Sequence, residues 1–303
     1  MMGEKHDHHT HTHDLKGKNL LFATVLNLVI TVVEIIGGLV SNSLALLSDA
    51  IHNLGDTFAV LLAYIANLIG RKVADEKKTF GYKRVEILTA LLNALVLIVI
   101  TIFLFIEAYK RFQDPEPVRG LIKFIVASVG LVANLAAVLL LRGDTHKNLN
   151  IRAAYLHLLG DTISSVAVIA GSVLIYFFNM YWLDPLITIL IGIYIIKEAY
   201  MVLKEAVDIL MQGTPASINL QEVVKEIEEH TQISNVHHVH AWKLDDTQIH
   251  FECHIDLHED LSLSRTDLIR SEIEKLLQNK FNISHVTIQF EYNCCDEKSV
   301  IHT

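Results

Sequence analysis

Up to about residue 210 the chain alternates long apolar runs with short polar breaks. Six apolar stretches run roughly from Leu20 to Val40, Leu44 to Ile69, Val85 to Tyr109, Leu121 to Leu141, Ala153 to Phe178 and Leu183 to Leu203. Each approaches or exceeds the roughly 20 residues that cross a hydrocarbon core as a helix. The pattern predicts a six-span α-helical membrane domain over residues 17–210, with the lipid bilayer as its solvent. Past Met211 the period changes. SINLQEVVKEIEEH reads as an amphipathic helix, NVHHVHAWKL and TQIHFECHIDL as strands, and HVTIQFEY as a third strand. In the second strand Ile249, Phe251, Cys253, Ile255 and Leu257 face one way, and His250, Glu252, His254, Asp256 and His258 the other. Ser264 and Asp267 predict a capping box at the start of a helix that runs to Lys280. Residues 211–303 thus predict a small α-β-β-α-β domain, hinged at the GTPAS segment 213–217.

Composition sharpens this picture. Hydrophobic residues make up 51% of the 303 and charged residues only 19%, whereas a soluble domain carries about 25% charged residues. Three cysteines exclude a disulfide scaffold. Residues 1–210 hold 18 acids and 18 Lys/Arg, so the net charge of −9 resides in residues 211–303, with 16 acids and 7 Lys/Arg. Nucleic acid is excluded as a partner, because binding it needs a basic surface; cations fit better. Lys/Arg number 3, 6 and 3 in the segments on one side of the six spans, and 0, 4 and 0 on the other. This count predicts cytoplasmic N- and C-termini. Lys110, Arg111, Arg119 and Lys123 are the dissenting group. Residues 1–16 are polar and His-rich and lack signal-peptide features, so they are expected to remain as a disordered tail.

The candidate chemistry sits inside the spans. LLSDAIHNLGDTFAV in span two and AAYLHLLGDTISSVAV in span five each hold a His-x-x-x-Asp pair, His52 with Asp56 and His157 with Asp161, and each repeats Leu-Gly-Asp-Thr. Residues i and i+4 share a helix face. Two such faces opposed offer two nitrogens and two oxygens, a tetrahedral set suited to Zn²⁺. Helix packing is the alternative reading, but ionisable groups in hydrocarbon are costly, and a duplicated pair favours metal. Four protein ligands leave no open position for activated water, which argues for binding and release rather than hydrolysis. Metal binding needs neutral His and ionised Asp, so protons compete with metal, and imidazoles titrate near physiological pH. The arrangement suggests a metal–proton exchanger and not an enzyme. A membrane enzyme with clustered histidines near the surface is the first alternative; only His52 and His157 lie within spans. A metal sensor without transport is the second. Asp49, three residues before His52, is read either as a carboxylate behind the ligands or on the ion's exit path, or as a helix-turn cap beside Ser48.

Taken together, the motifs SNSLALLSDAIHNLGD, KKTFGYKRVEIL, the His157–Asp161 pair, the ILMQGTP junction, VHHVHAW and HVTIQFE resemble the cation diffusion facilitator family, and within it the zinc-type bacterial cobalt–zinc–cadmium resistance exporters. The resemblance spans Leu20 to Tyr292. It implies a homodimer of six-span protomers with a cytoplasmic domain of metallochaperone-like α/β fold. It also implies export of Zn²⁺ from the cytoplasm, with Cd²⁺ and Co²⁺ as further cargo, driven by inward protons. The ligands it carries over are His52, Asp56, His157 and Asp161, and His52 points to the zinc-preferring type. It further implies a regulatory cytoplasmic Zn²⁺ site at His237 and His254, with Asp267 and Glu291 as further ligands; a histidine of some relatives is Gln289 here. Some relatives bind a metal between spans two and three, but Asp75 is accompanied here by Lys78 and Tyr82, and no metal is expected there. Arg84 matches the cation of a charged pair that joins protomers in some relatives, while the acid is replaced by Gln212. The short loop RGDTHKNLNIRAA favours a bacterial plasma membrane. Cys294–Cys295 is either a thiolate site shared with the N-terminal histidines or an incidental pair. His8, His9, His11 and His13 form a flexible tract expected to capture metal weakly.

Overall fold

The computed structural model describes residues 11–142, 149–293 and 299–300; the side chains of residues 11–24, 137, 140–142, 149–154, 156 and 157 lie outside that description. Six long helices come first: α1 His11–Ser41, α2 Leu44–Gly70, α3 Val85–Gln113, α4 Gly120–Arg142, α5 Leu149–Phe178 and α6 Leu183–Leu210. Then follow α7 Leu220–Glu228, β1 Ile233–Lys243, β2 Ile249–Leu257, α8 Leu263–Phe281 and β3 His285–Glu291. Among the described residues α2, α3, Leu158–Phe178 of α5, and α6 are long and apolar enough to cross a membrane; Val25–Ser41 and Gly120–Ala136 are shorter apolar stretches. Helix α1 begins at His11, upstream of the predicted end of the polar tail at Lys16. No proline interrupts 11–41, so the helix started by the apolar run has no stop signal there. Helix α5 ends conventionally, on Asn179 in the left-handed region (φ 54°) with its amide bonded to Ile175 O at 2.9 Å.

The chain divides into two compact units, one of residues up to Leu61 with Asn93–Met201, the other of Leu62–Leu92 with Val202 onward. In the first, α2, α4, α5 and α6 share a core of Ala45, Leu46, Ala127, Val168, Ile187, Ile191 and Ile195. A fully buried ion pair adjoins it. Asp184, at the start of α6, accepts from Lys123 Nζ of α4 at 2.8 Å, from Ser43 Oγ at 2.5 Å and from the Leu44 amide at 2.7 Å. The carboxylate therefore caps α2 and neutralises Lys123 at once, which satisfies a charge that would otherwise be costly to bury.

In the second unit the strands form a sheet of order β1-β2-β3, with β1–β2 antiparallel and β2–β3 parallel. Its core joins Phe251, Cys253 and Ile255 of β2 to Val223 and Ile227 of α7 and Ile269, Ile273 and Leu277 of α8. Burial pushes the Cys253 thiol up to about 12, so it is a protonated core group. The opposite face of β2 is less open than strict alternation implies. His250 and Asp256 are buried as well. His250 stacks on Trp242 and meets the edge of Phe80, from the loop between α2 and α3. The predicted capping box does not form: α8 starts after Ser262, whose side chain makes no cap, and Asp267 accepts from Arg270 instead, at 2.7 Å. Because the helix begins at Leu263, Ser264 and Asp267 fall inside it and cannot occupy the cap and third positions.

Candidate metal centres

Helices α2 and α5 meet through polar groups on matching turns. His52 Nε2 lies 3.2 Å from Asp161 Oδ1 and 3.7 Å from Asp56 Oδ2. All three donor atoms fall within 4.8 Å of one another. A tetrahedral ion with bonds of 2.0–2.2 Å needs donor–donor edges of about 3.4 Å, so only a small contraction separates this arrangement from a ligand set. His52 and Asp161 are buried, and Asp56 is partly open at 29%. The backbone of His157 sits on α5 four residues before Asp161; its side chain lies outside the described residues. Asp49 is buried beside the three without being one of the converging donors, and accepts from Ser164 Oγ of α5 at 2.6 Å. It thus ties α2 to α5 three residues from each His–Asp pair.

The glycines of the repeated Leu-Gly-Asp-Thr have a steric reason. A Cβ on Gly55 would lie 2.6 Å from Leu97 Cδ2 of α3, and one on Gly160 would lie 2.9 Å from the Tyr194 hydroxyl of α6. Each glycine lets a neighbouring helix approach beside a ligand. Tyr194 in turn meets the His52 ring edge-on, with centroids 5.7 Å apart. Ser164 and Tyr194 are site residues the sequence reading missed. Ser164 had a signal, the same i+3 spacing from Asp161 that separates Asp49 from His52; Tyr194 had none. Deeper in the same unit Asn53 donates to Glu34 of α1 at 2.8 Å.

The sheet of the second unit holds the other cluster. His237 of β1, His254 of β2 and Glu291 of β3 converge, each strand supplying one donor. His254 Nδ1 is 2.9 Å and His237 Nε2 3.3 Å from the carboxylate of Glu291. The His237 contact lacks hydrogen-bond geometry, as expected of groups aimed at a shared point rather than at each other. Gln289 donates to Glu291 Oε1 at 2.7 Å, so the residue in place of an imidazole orients the carboxylate. Asp267 is not brought to this cluster: it is exposed and held by Arg270. Asp75, in the α2–α3 loop, accepts from the amides of Lys77 and Lys78 at 2.8 Å and from the Tyr82 hydroxyl at 3.2 Å. The Lys78 and Lys77 amides hold its carboxyl below the usual carboxylate range. Cys294, Cys295, His8 and His9 lie outside the described residues, as do the side chains of His11 and His13.

Residues 20–211 match the cation efflux transmembrane domain, and residues 215–293 match the cation efflux protein cytoplasmic domain. The chain is 39% identical over 285 residues to the cadmium, cobalt and zinc/H⁺-K⁺ antiporter of Bacillus subtilis, covering 93% of this chain and 91% of the relative. It is 38% identical to zinc transporter ZitB of Pectobacterium atrosepticum, over 95% of this chain and 90% of the relative. It is 36% identical to metal cation efflux system protein CzcD of Cupriavidus metallidurans, over 95% and 91%. Several apolar membrane-length helices, a cytoplasmic-domain match and relatives alike along nearly their whole length converge on one assignment: the chain is a multi-pass membrane transporter, not an enzyme, and belongs to the cation diffusion facilitator family.

Proposed function

We propose that this chain exports Zn²⁺ from the bacterial cytoplasm in exchange for protons, with Cd²⁺ and Co²⁺ as further cargo, through a tetrahedral intramembrane site of His52, Asp56, His157 and Asp161. The observation that carries the reading is the convergence of His52, Asp56 and Asp161 from α2 and α5 within 4.8 Å. Two carboxylates balance a divalent ion, so cargo travels through hydrocarbon without a large uncompensated charge. Protonating the imidazoles and carboxylates discharges it. The names of the relatives, which include zinc, cadmium and cobalt, support the cargo class.

The working unit is a homodimer of six-span protomers in the plasma membrane. Residues 17–210 form the transport domain, and residues 211–303 a cytoplasmic metal-binding and dimerisation domain. Helix α4, at 23 residues, is about 34 Å long at 1.5 Å per residue, enough to span. Cytoplasmic termini gain support from Lys123, which counts against them in the charge tally but is buried against Asp184. His237, His254 and Glu291 serve as a regulatory Zn²⁺ site, while the tract of His8, His9, His11 and His13, with Cys294 and Cys295, feeds metal to the transporter.

The test is Zn²⁺ flux into proteoliposomes under an imposed pH gradient, with and without K⁺ on the opposite side. Asp161→Ala and Asp56→Ala should each abolish flux in protein that keeps its elution profile and melting temperature. Wild-type flux in folded Asp161→Ala protein overturns the site.

A further inference from the structure

The loop joining α2 to α3 carries Arg71, Lys72, Lys77, Lys78, Lys83 and Arg84. Within its own unit it packs on the sheet domain, with Phe80 against the His250 ring and Lys83 donating to Gln248. Two cavities open there, of about 360 and 490 Å³, sharing Thr79, Phe80, Gly81, Lys83 and Leu244 as walls. Both sizes suit a small ligand. Their charge is one-sided. Lys72, Lys77, Lys78, Lys83 and Arg84 line them, with no carboxylate among the lining residues, although the region from 211 onward carries the chain's whole −9. Of the nearby acids, Glu86 and Asp246 line neither cavity, and two others are already engaged. Asp75 is bonded by loop amides, and Asp245, whose Oδ2 is 4.0 Å from Lys83 Nζ, receives the Thr247 and Gln248 amides on its other oxygen. Arg84 Nε is buried with no hydrogen-bond partner among the described residues, and the neutral Gln212 faces the same cavity. Burial, then the charges of His285 and Lys83, keep the His250 imidazole below its ordinary value, consistent with a positive local field.

A cluster of cations beside an unsatisfied guanidinium N–H calls for an anion, and guanidinium and ammonium groups at close quarters suit phosphate oxygens. The cavities also lie where two membrane-length helices end: Gly70 closes α2 and lines the larger one, and Arg84 immediately precedes α3. A helix that crosses a hydrocarbon core of about 30 Å ends near the headgroup layer, where lipid phosphates lie. We infer that the pair of cavities between the α2–α3 loop and the sheet domain binds a phosphate-bearing anion, supplied either by an anionic lipid headgroup or by a soluble phosphate. Such an anion would bridge the loop to the sheet domain by joining Lys77, Lys78 and Arg84 to the walls they face.

The test uses the full-length protein in detergent. Native mass spectrometry reads binding of phosphatidylglycerol against phosphatidylcholine of the same acyl chains, and calorimetry reads binding of inorganic phosphate. Lys83→Gln/Arg84→Gln should weaken the bound anion by about fivefold for each cation removed. The control Lys225→Gln/Lys275→Gln removes the same charge from exposed helix residues that line neither cavity, and should change binding less than about twofold. If the first variant does not fold, Lys77→Gln/Lys78→Gln, on exposed residues, takes its place. Preference for phosphatidylglycerol that is lost in the lining variant alone supports the lipid source. Saturable phosphate binding lost the same way, without a lipid preference, supports the soluble one. Absence of both, or equal losses in the lining and control variants, overturns the site.

Discussion

Gly160 shows how little room the candidate transport site has. Its missing side chain leaves space for the Tyr194 hydroxyl, which a Cβ would approach to 2.9 Å, while the next ring atom is 3.7 Å away. The close approach therefore depends on one oxygen. Gly160→Ala should displace Tyr194 or tilt α5 beside Asp161, and a misplacement near one ångström lowers flux roughly tenfold to a hundredfold. Gly160→Ala/Tyr194→Phe removes the conflicting oxygen and should recover most of that loss. Zn²⁺ flux in the two proteins checks it, and a double variant no better than the single one would show that the hydroxyl is not the obstacle. At this scale the sequence was legible where a helical period was at work. His52, Asp56 and Asp161 sit at i,i+4 spacing or in its duplicate, and their convergence follows from that period. Asp267 was not legible, because spacing on α8 says nothing about which face meets the sheet, and a nearby arginine claims its carboxylate. Tyr194 carries no pattern at all: it matters because a glycine on another helix makes space for it.

Among the elements, α2, α4 and α6 depend on one buried charge pair. Lys123 and Asp184 are 61 residues apart in sequence and 2.8 Å apart in space. No window of sequence reveals such a partnership; a lone lysine inside an apolar run reads only as an exception to the charge rule. Lys123→Met would leave Asp184 with the Ser43 hydroxyl and Leu44 amide but no counter-charge. Breaking one partner of a buried pair costs about 3–5 kcal/mol. A marked fall in melting temperature is expected in detergent, while Lys123→Met/Asp184→Asn should be less damaged than the single change because no bare charge remains. Equal melting temperatures for wild type and Lys123→Met would remove the pair from the account of helix assembly. The elements themselves were easier to read than their ends. The alternation in TQIHFECHIDL located β2, yet the burial of His250 on its supposedly open face comes from its cross-strand partner Trp242 and from Phe80, 170 residues away in the chain.

For the whole molecule, one ion at His237, His254 and Glu291 would tie all three strands of the sheet together. In the proposed dimer it would also offset the mutual repulsion of two domains that each carry −9. A ligand that binds only the folded state stabilises it by about 2.7 kcal/mol at a hundredfold excess over Kd. Zn²⁺ should thus raise the melting temperature of the full-length protein and shorten the distance between spin labels on the two cytoplasmic domains. Both responses should vanish in His237→Ala/His254→Ala, which should still transport, with weaker activation by zinc. A label distance indifferent to Zn²⁺ in the wild type would leave these histidines without a switching role. Gln289 also decides how readily this cluster could gain a donor. It stands opposite His254 in the parallel ladder and holds Glu291 in place. Glutamine and histidine codons differ only in their third base, so a single nucleotide change would set an imidazole beside the other donors. On the proposed regulatory role, one base change at codon 289 would add a fourth donor to this cluster while leaving every residue of α2 and α5 as it is.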